Sequence, residues 1–230
     1  MNGLFGVLAQ AQIGDWGFVL QNWDYLAGGL WLTVQLTLLS IVLGFVVGFP
    51  AGAVEVYGNK YAATPVKVAG TVLRGTPLLV ILIFAYFVAP IGSAFLAAIL
   101  GLGLRSAAYQ TQIFRGSLQS VGEGQMNAAR AIGMSKLEAI YHVVVPQALR
   151  RSVPSFQNEF TIVLKDTSLA FAIGFAELLT RSYDLFVQRT TAVLEVILFV
   201  SAIYFVLTFT TNRALDRLSD RYEIPSGESQ

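Results

Sequence analysis

The chain of 230 residues contains no cysteine, a single histidine and few charges: 13% Asp, Glu, Lys and Arg, against about 25% in soluble domains. Without cysteine there are no disulfides, thiolate metal sites or cysteine nucleophiles. The one histidine, His142, lies beside Tyr141 and is a poor basis for a metal cluster or a serine–histidine triad. No G-x-x-x-x-G-K-[ST] loop occurs, and Gly101 with Gly103 is too short a glycine pattern to hold a nucleotide, so ATP hydrolysis by this chain is not expected. The net charge is +1 with no Lys/Arg-rich run, which excludes a nucleic-acid footprint and an acidic disordered tail.

What is abundant is apolar. Hydrophobic residues make up 55% of the chain, the mean hydropathy is +0.62, and residues 25–54 and 75–104 are uncharged runs of 30 residues each. A membrane-crossing helix needs about 20 apolar residues. Pro90, Gly92 and Ser93 break the second run, so it reads as two helices joined by a tight turn. The pattern predicts an all-α membrane protein of about five spans, near 26–54, 68–89, 93–114, 145–175 and 192–212. Eleven of the fifteen Lys and Arg fall on one side of these spans and only Arg181 and Arg189 on the other, with Arg105 and Lys165 inside. By the positive-inside rule the N-terminus is outside and the C-terminus cytoplasmic. The organisation predicted is an interfacial segment over 1–24, a transmembrane domain over 25–215 and a loose cytoplasmic tail over 216–230.

The first 24 residues fit a signal peptide poorly: no Lys or Arg lies near the start, and Gln10 and Gln12 interrupt the apolar stretch. Trp16, Phe18, Trp23, Tyr25 and Trp31 suit either an elbow at headgroup depth or a frayed terminus.

The loop over about 122–143 is the most informative segment. Gly133 suits a left-handed helix stop, and Ser135 with Glu138 forms an S-x-x-E capping box that starts a second short helix, running through His142 until Pro146 opens the next span. Ala128 and Ala129 let another surface approach closely. Two readings stay open on these grounds, a docking element and a self-packed amphipathic turn.

Asn127-Ala128-Ala129, three residues, Gly133, nine residues, Val143, one residue and Val145-Pro146 resemble the E-A-A-x3-G-x9-I-x-L-P signature of binding-protein-dependent ABC importer permeases. Arg74-Gly75-Thr76-Pro77, Ala107-Ala108-Tyr109, Ile113-Phe114-Arg115-Gly116, Pro146-Gln147-Ala148 and Leu164-Lys165-Asp166-Thr167-Ser168-Leu169 resemble the polar amino acid subfamily. The resemblance implies a dimer of permease subunits, identical or not, in the inner membrane of a prokaryote. It also implies an extracytoplasmic amino acid-binding protein and two ATPase subunits that grip the loop through Gln125, Asn127, Ala128, Ala129 and Gly133. ATP and Mg would be held by those ATPases, with no cofactor in this chain. Asn127 stands where the family has glutamate, which removes one charge from that contact.

Charges within spans are costly, about 3 kcal/mol even on lenient scales. Arg105, Tyr109 and Gln112 form a polar stripe on the third span. Arg105 meets either a substrate carboxylate or a structural partner, Glu159 or Asp166. Gln112 stands where the family commonly has glutamate, which favours neutral or acidic substrates over arginine or lysine. In the fourth span Pro154 is expected to break or kink the helix, bringing Gln157, Asn158 and Glu159 to the pathway; Gln157 and Asn158 equally suit interhelical hydrogen bonding. Lys165, Asp166, Thr167 and Ser168 form a gate or hinge, or Lys165 and Asp166 neutralise each other. Glu195 is read as reaching the outer interface with no role. The competing class is an ion-coupled secondary amino acid transporter with Glu159, Asp166 and Lys165 as a relay. No inverted repeat supports it.

Overall fold

The computed structural model describes residues 14–89 and 91–222, all of them helical or in short connections, with no strand among them. Pro90, Gln10, Gln12 and the tail from 223 onward, with Pro225 and Gly227, lie outside the described residues. The helices are α1 (Trp16–Gln21), α2 (Trp23–Tyr57), α3 (Lys60–Gly75), α4 (Leu78–Phe87), α5 (Ala94–Ser120), α6 (Glu123–Ala131), α7 (Lys136–Ala139), α8 (Val145–Asp166), α9 (Leu178–Gln188) and α10 (Val193–Tyr222).

By length and hydropathy alone, two stretches are apolar enough to cross a membrane, Trp23–Tyr57 and Thr190–Arg217, and a third is the pair α3 and α4. That pair corrects the single span expected over 68–89: its two helices meet at 103°. The bend falls at Thr76-Pro77, where Pro77 has no amide hydrogen and pushes the residue before it to extended geometry; Thr76 has ψ 130°. α5 and α8 carry polar side chains that turn toward each other, so hydropathy alone does not single them out. α10 continues to Tyr222, past the point at which a loose tail was expected.

The tightest contact joins α2 and α5. Gly44, Gly48 and Gly52 lie one helical turn apart on one face of α2, and a Cβ at Gly48 would sit 2.8 Å from the Ala107 carbonyl oxygen, one at Gly52 2.9 Å from that of Thr111. Such small-residue stripes let helix backbones approach where water supplies no drive for association. Gly103 of α5 adds to this contact against Leu43 of α2, and Gly101 does the same on another side of α5, against Leu82 of α4.

Three apolar clusters hold the rest. Leu36, Leu82, Leu102 and Ile173 join α2, α4 and α5 to the 3₁₀ turn Thr167–Ile173. Val19, Leu26, Leu185 and Val196 join α1, α2, α9 and α10. Leu118, Val121, Val144 and Ala148 close the end from which the loop emerges. The aromatic segment expected to form an elbow contains α1; Trp16, Trp23, Tyr25 and Trp31 are exposed there, and Asp15 pairs with Arg189 at 2.7 Å and accepts from Thr191 Oγ1 at 2.6 Å. Glu195 has a structural partner after all, accepting from the distant Asp15 amide at 3.3 Å.

Pro154 does not break α8, which continues as helix from Val145 to Asp166. The widening occurs instead at the other proline: Ile140–Val144 forms a π turn and the Val145 amide reaches back five residues to the Ile140 carbonyl. Pro146 cannot bond the His142 carbonyl and its ring crowds it, and a wider turn relieves both. α7 therefore ends at Ala139, short of the expected His142.

Candidate functional site: a polar groove and a docking loop

α5 and α8 enclose a groove of about 550 Å³ lined by Tyr109, Gln112, Ile113, Pro154, Ser155, Asn158, Glu159 and Ile162. Tyr109 to Gln112 and Asn158 to Ile162 are helical i, i+3 and i, i+4 spacings, so one face of each helix supplies the wall. Four of the residues expected on the pathway, Tyr109, Gln112, Asn158 and Glu159, meet here. Two do not. Gln157 turns away to α10, donating to Asp216 Oδ1 at 2.8 Å, the interhelical role weighed for it. Arg105 donates to Asp166 Oδ2 at 2.8 Å, with about a fifth of each side chain exposed, and stacks 5.0 Å from the Tyr109 ring centre.

That ion pair also corrects the expected Lys165–Asp166 neutralisation: the carboxylate belongs to Arg105, and Lys165 is exposed. Thr167 and Ser168 return their hydroxyls to the backbone carbonyls of Leu164 and Lys165, both at 2.7 Å. These bonds fall where α8 gives way to the 3₁₀ turn. The turn ends in a left-handed glycine, Gly174 at φ +72°. The Gly174 amide bonds Phe171 and the Phe175 amide bonds Ala170, the paired Schellman bonds that close a helix end.

Gln112 forms the boundary with a second, smaller cavity of about 270 Å³, lined also by Glu55, Lys67, Thr71, Arg74 and Arg115. Its amide donates to both Glu55 oxygens at 3.3 and 3.4 Å and accepts from Arg115 at 3.2 Å, while Arg115 lies 3.6 Å from Glu55. The Glu55 side chain is 2% exposed. A carboxylate therefore stands beside Gln112 although residue 112 has none. Arg74, in turn, donates to the Ala108 carbonyl at 2.8 Å. Sequence reasoning missed Glu55, which falls directly after the uncharged run 25–54 and reads as the end of a span. It missed Glu177 too, wholly buried and capping α9 by accepting from the Leu179 and Thr180 amides at 2.7 Å each.

The loop forms as its residues direct. Gly133 has φ +97°, the Met134 amide bonds Ala129 and the Gly133 amide bonds Arg130, again the Schellman pattern. The capping box is complete: the Ser135 amide donates to Glu138 at 2.7 Å and the Glu138 amide to the Ser135 hydroxyl at 3.3 Å. The Ser135 amide that donates to the carboxylate, and then the Ser135 hydroxyl beside it, hold the Glu138 carboxyl below its ordinary value. Gln125, Asn127 and Ala128 are exposed, but Ala129 is buried within the chain, at 5% exposure, and packs inward rather than toward a partner. The surface includes three apolar side chains the pattern did not single out: Ile132, Leu137 and Tyr141, at 77%, 78% and 70% exposure.

The family described as "Binding-protein-dependent transport system inner membrane component" matches residues 40–224. The chain is 33% identical over 216 residues to the glutamine transport system permease protein GlnP of Escherichia coli (strain K12), covering 91% of this chain and 98% of that one. It is 31% identical to the L-cystine transport system permease protein TcyB of Bacillus subtilis (strain 168), over 90% of this chain and 92% of that one. A crystal structure of an amino acid ABC transporter with histidines superposes with a TM-score of 0.80 at 32% identity, covering 88% of this chain and 96% of its own. The solved structure is of an ABC transporter, and the ion-coupled carrier finds no support among these proteins. With most of its length matched, the chain belongs to the family of inner-membrane components of binding-protein-dependent transport systems.

Proposed function

We propose that the chain is the permease subunit of an ATP-driven importer of neutral or acidic amino acids. The observation that carries this reading is one of connection: the docking loop joins the two helices that line the groove. α5 ends at Ser120, the loop occupies the interval to Val144, and α8 begins at Val145. Arg151 on α8 bonds the Ser120 carbonyl at the end of α5. A force on the loop therefore reaches the first lining residues of both walls, Ile113 and Pro154, within about two to three helical turns.

In this reading two ATPase subunits hold ATP and Mg and pull on the exposed Gln125, Asn127, Ala128, Ile132 and Leu137, while this chain holds no cofactor and hydrolyses nothing. A second permease subunit closes the open side of the groove, and an extracytoplasmic amino acid-binding protein delivers the substrate. The chain crosses a prokaryotic inner membrane five times, by α2, the bent α3–α4 pair, α5, α8 and α10, with the N-terminus outside and the basic loop inside. Lys165 to Ser168, at the change from α to 3₁₀, form the hinge of the α8 wall.

Charge supports the substrate class. Glu159 is the one acidic side chain lining the groove, suited to an α-ammonium, whereas the cavity beyond Gln112 sets Lys67, Arg74 and Arg115 against Glu55 alone. A substrate with an additional cation meets net repulsion there. The test is uptake of single amino acids into proteoliposomes holding the whole complex and its binding protein. ATP-dependent uptake of a neutral or acidic amino acid, exceeding that of arginine and lysine, is the expected result; equal uptake of arginine and glutamine would contradict the substrate class.

A further inference from the structure

Behind the groove wall a buried chain of polar groups serves neither the ion pair nor the loop. Glu159 is 4% exposed, Ser106 1% and Gln110 wholly buried. Ser106 Oγ donates to Glu159 Oε1 at 2.7 Å. Gln110 Nε2 donates to Ser106 Oγ at 3.1 Å and to the Ile41 carbonyl of α2 at 3.3 Å. The chain thus runs from α2 through two residues of α5 to the groove-lining carboxylate on α8.

Its direction is fixed by chemistry. A backbone carbonyl only accepts, so the Ile41 oxygen requires the NH2 end of the Gln110 amide. That end then donates to Ser106, which leaves the single hydroxyl proton of Ser106 for Glu159. Every proton points toward the carboxylate. Space for the chain comes from Gly44, where a Cβ would collide with Gln110 Nε2 and lie 3.1 Å from Ser106 Oγ.

We propose that Gln110 is a positioning residue for substrate selection: acting through Ser106, it ties one oxygen of Glu159 and holds the other toward the groove to receive the substrate α-ammonium. No hydrogen bond among the described residues engages Glu159 Oε2. The proposal rests on the groove being the substrate path.

The test is a double-mutant cycle on ATP-dependent uptake by the reconstituted complex, with Gln110→Met, which keeps side-chain length and removes the donors, Glu159→Gln, and the two together. Gln110→Met removes bonds to a neutral hydroxyl and a backbone carbonyl, which predicts a fall in uptake of about fivefold. The expected signature is coupling: the double variant is no worse than Glu159→Gln alone. Losses that multiply would make Gln110 a packing residue and overturn the proposal, as would unchanged uptake in Gln110→Met while Glu159→Gln is impaired. Unchanged uptake in Glu159→Gln would overturn both the proposal and the use of Glu159 by the path. Ser106→Ala, which cuts the same chain in the middle with a smaller change of volume, should reproduce Gln110→Met. Copurification of the ATPase with each variant confirms assembly.

Discussion

The docking loop and the groove are built by opposite means. In the loop each device closes on itself within a few residues: Ser135 with Glu138, Gly133 with Arg130, Met134 with Ala129. Around the groove the partners are far apart in the chain, 53 residues from Ser106 to Glu159, 57 from Glu55 to Gln112 and 61 from Arg105 to Asp166. The loop is therefore set by local chemistry and keeps an unburied apolar surface. The groove exists only once α2, α5 and α8 have packed, and it depends on every one of its long-range bonds.

This contrast is open to direct attack. The largest effect is expected on the loop surface: Leu137→Asp or Ile132→Asp places a charge where the chain itself buries almost nothing, so the fold is kept while ATPase association, measured by copurification and titration, weakens by about several hundredfold. On the groove side, Arg105→Ala leaves Asp166 unpaired and is expected to cost about 3 kcal/mol, seen as a lower melting temperature in detergent. The double variant Arg105→Ala with Asp166→Ala should recover part of it. Back in the loop, Gly133→Ala places a Cβ at φ +97° with open space around it; the backbone term alone predicts about 1 kcal/mol, and hydrogen exchange should show opening confined to α6 and α7.

The smallest effect is one of pH. Because the folded Glu138 carboxyl is held below its ordinary value of 4.5, its contribution to the capping box is complete above that value and is lost as pH falls through the lowered one. The protection factor of the Ser135 amide, measured against its intrinsic exchange rate, should fall below pH 4.5, and Glu138→Gln should flatten this dependence.

What the sequence makes legible follows the same division. The Schellman stop, the capping box, the basic asymmetry and the polar stripe of α5 all have local or periodic signatures, and the stripe residues Tyr109 and Gln112 do line the groove. The sequence leaves the partner of Arg105 open between Glu159 and Asp166 because both lie on the helix facing it, and only the rotation of α8 chooses. The inward turn of Ala129 and the outward turn of Gln157 toward Asp216 have the same cause, since helical phase against a neighbour is a tertiary property. Gln110 was legible in part: Gly44, Gly48 and Gly52 are a small-residue stripe that marks close helix approach, and a glutamine opposite such a stripe must find a backbone partner. The 103° bend at Pro77 lay hidden for a different reason: it falls at the edge of the uncharged run that starts at Gly75, where a proline also suits an ordinary helix start.

The central claim is that the loop couples a partner's ATP hydrolysis to delivery of an amino acid through the groove. The most direct measurement is ATP hydrolysis in reconstituted membranes holding this chain and its ATPase, with and without the binding protein loaded with single amino acids. The account predicts stimulation by a loaded neutral or acidic amino acid, abolished by Leu137→Asp. An intact complex whose hydrolysis responds to no loaded amino acid would contradict it.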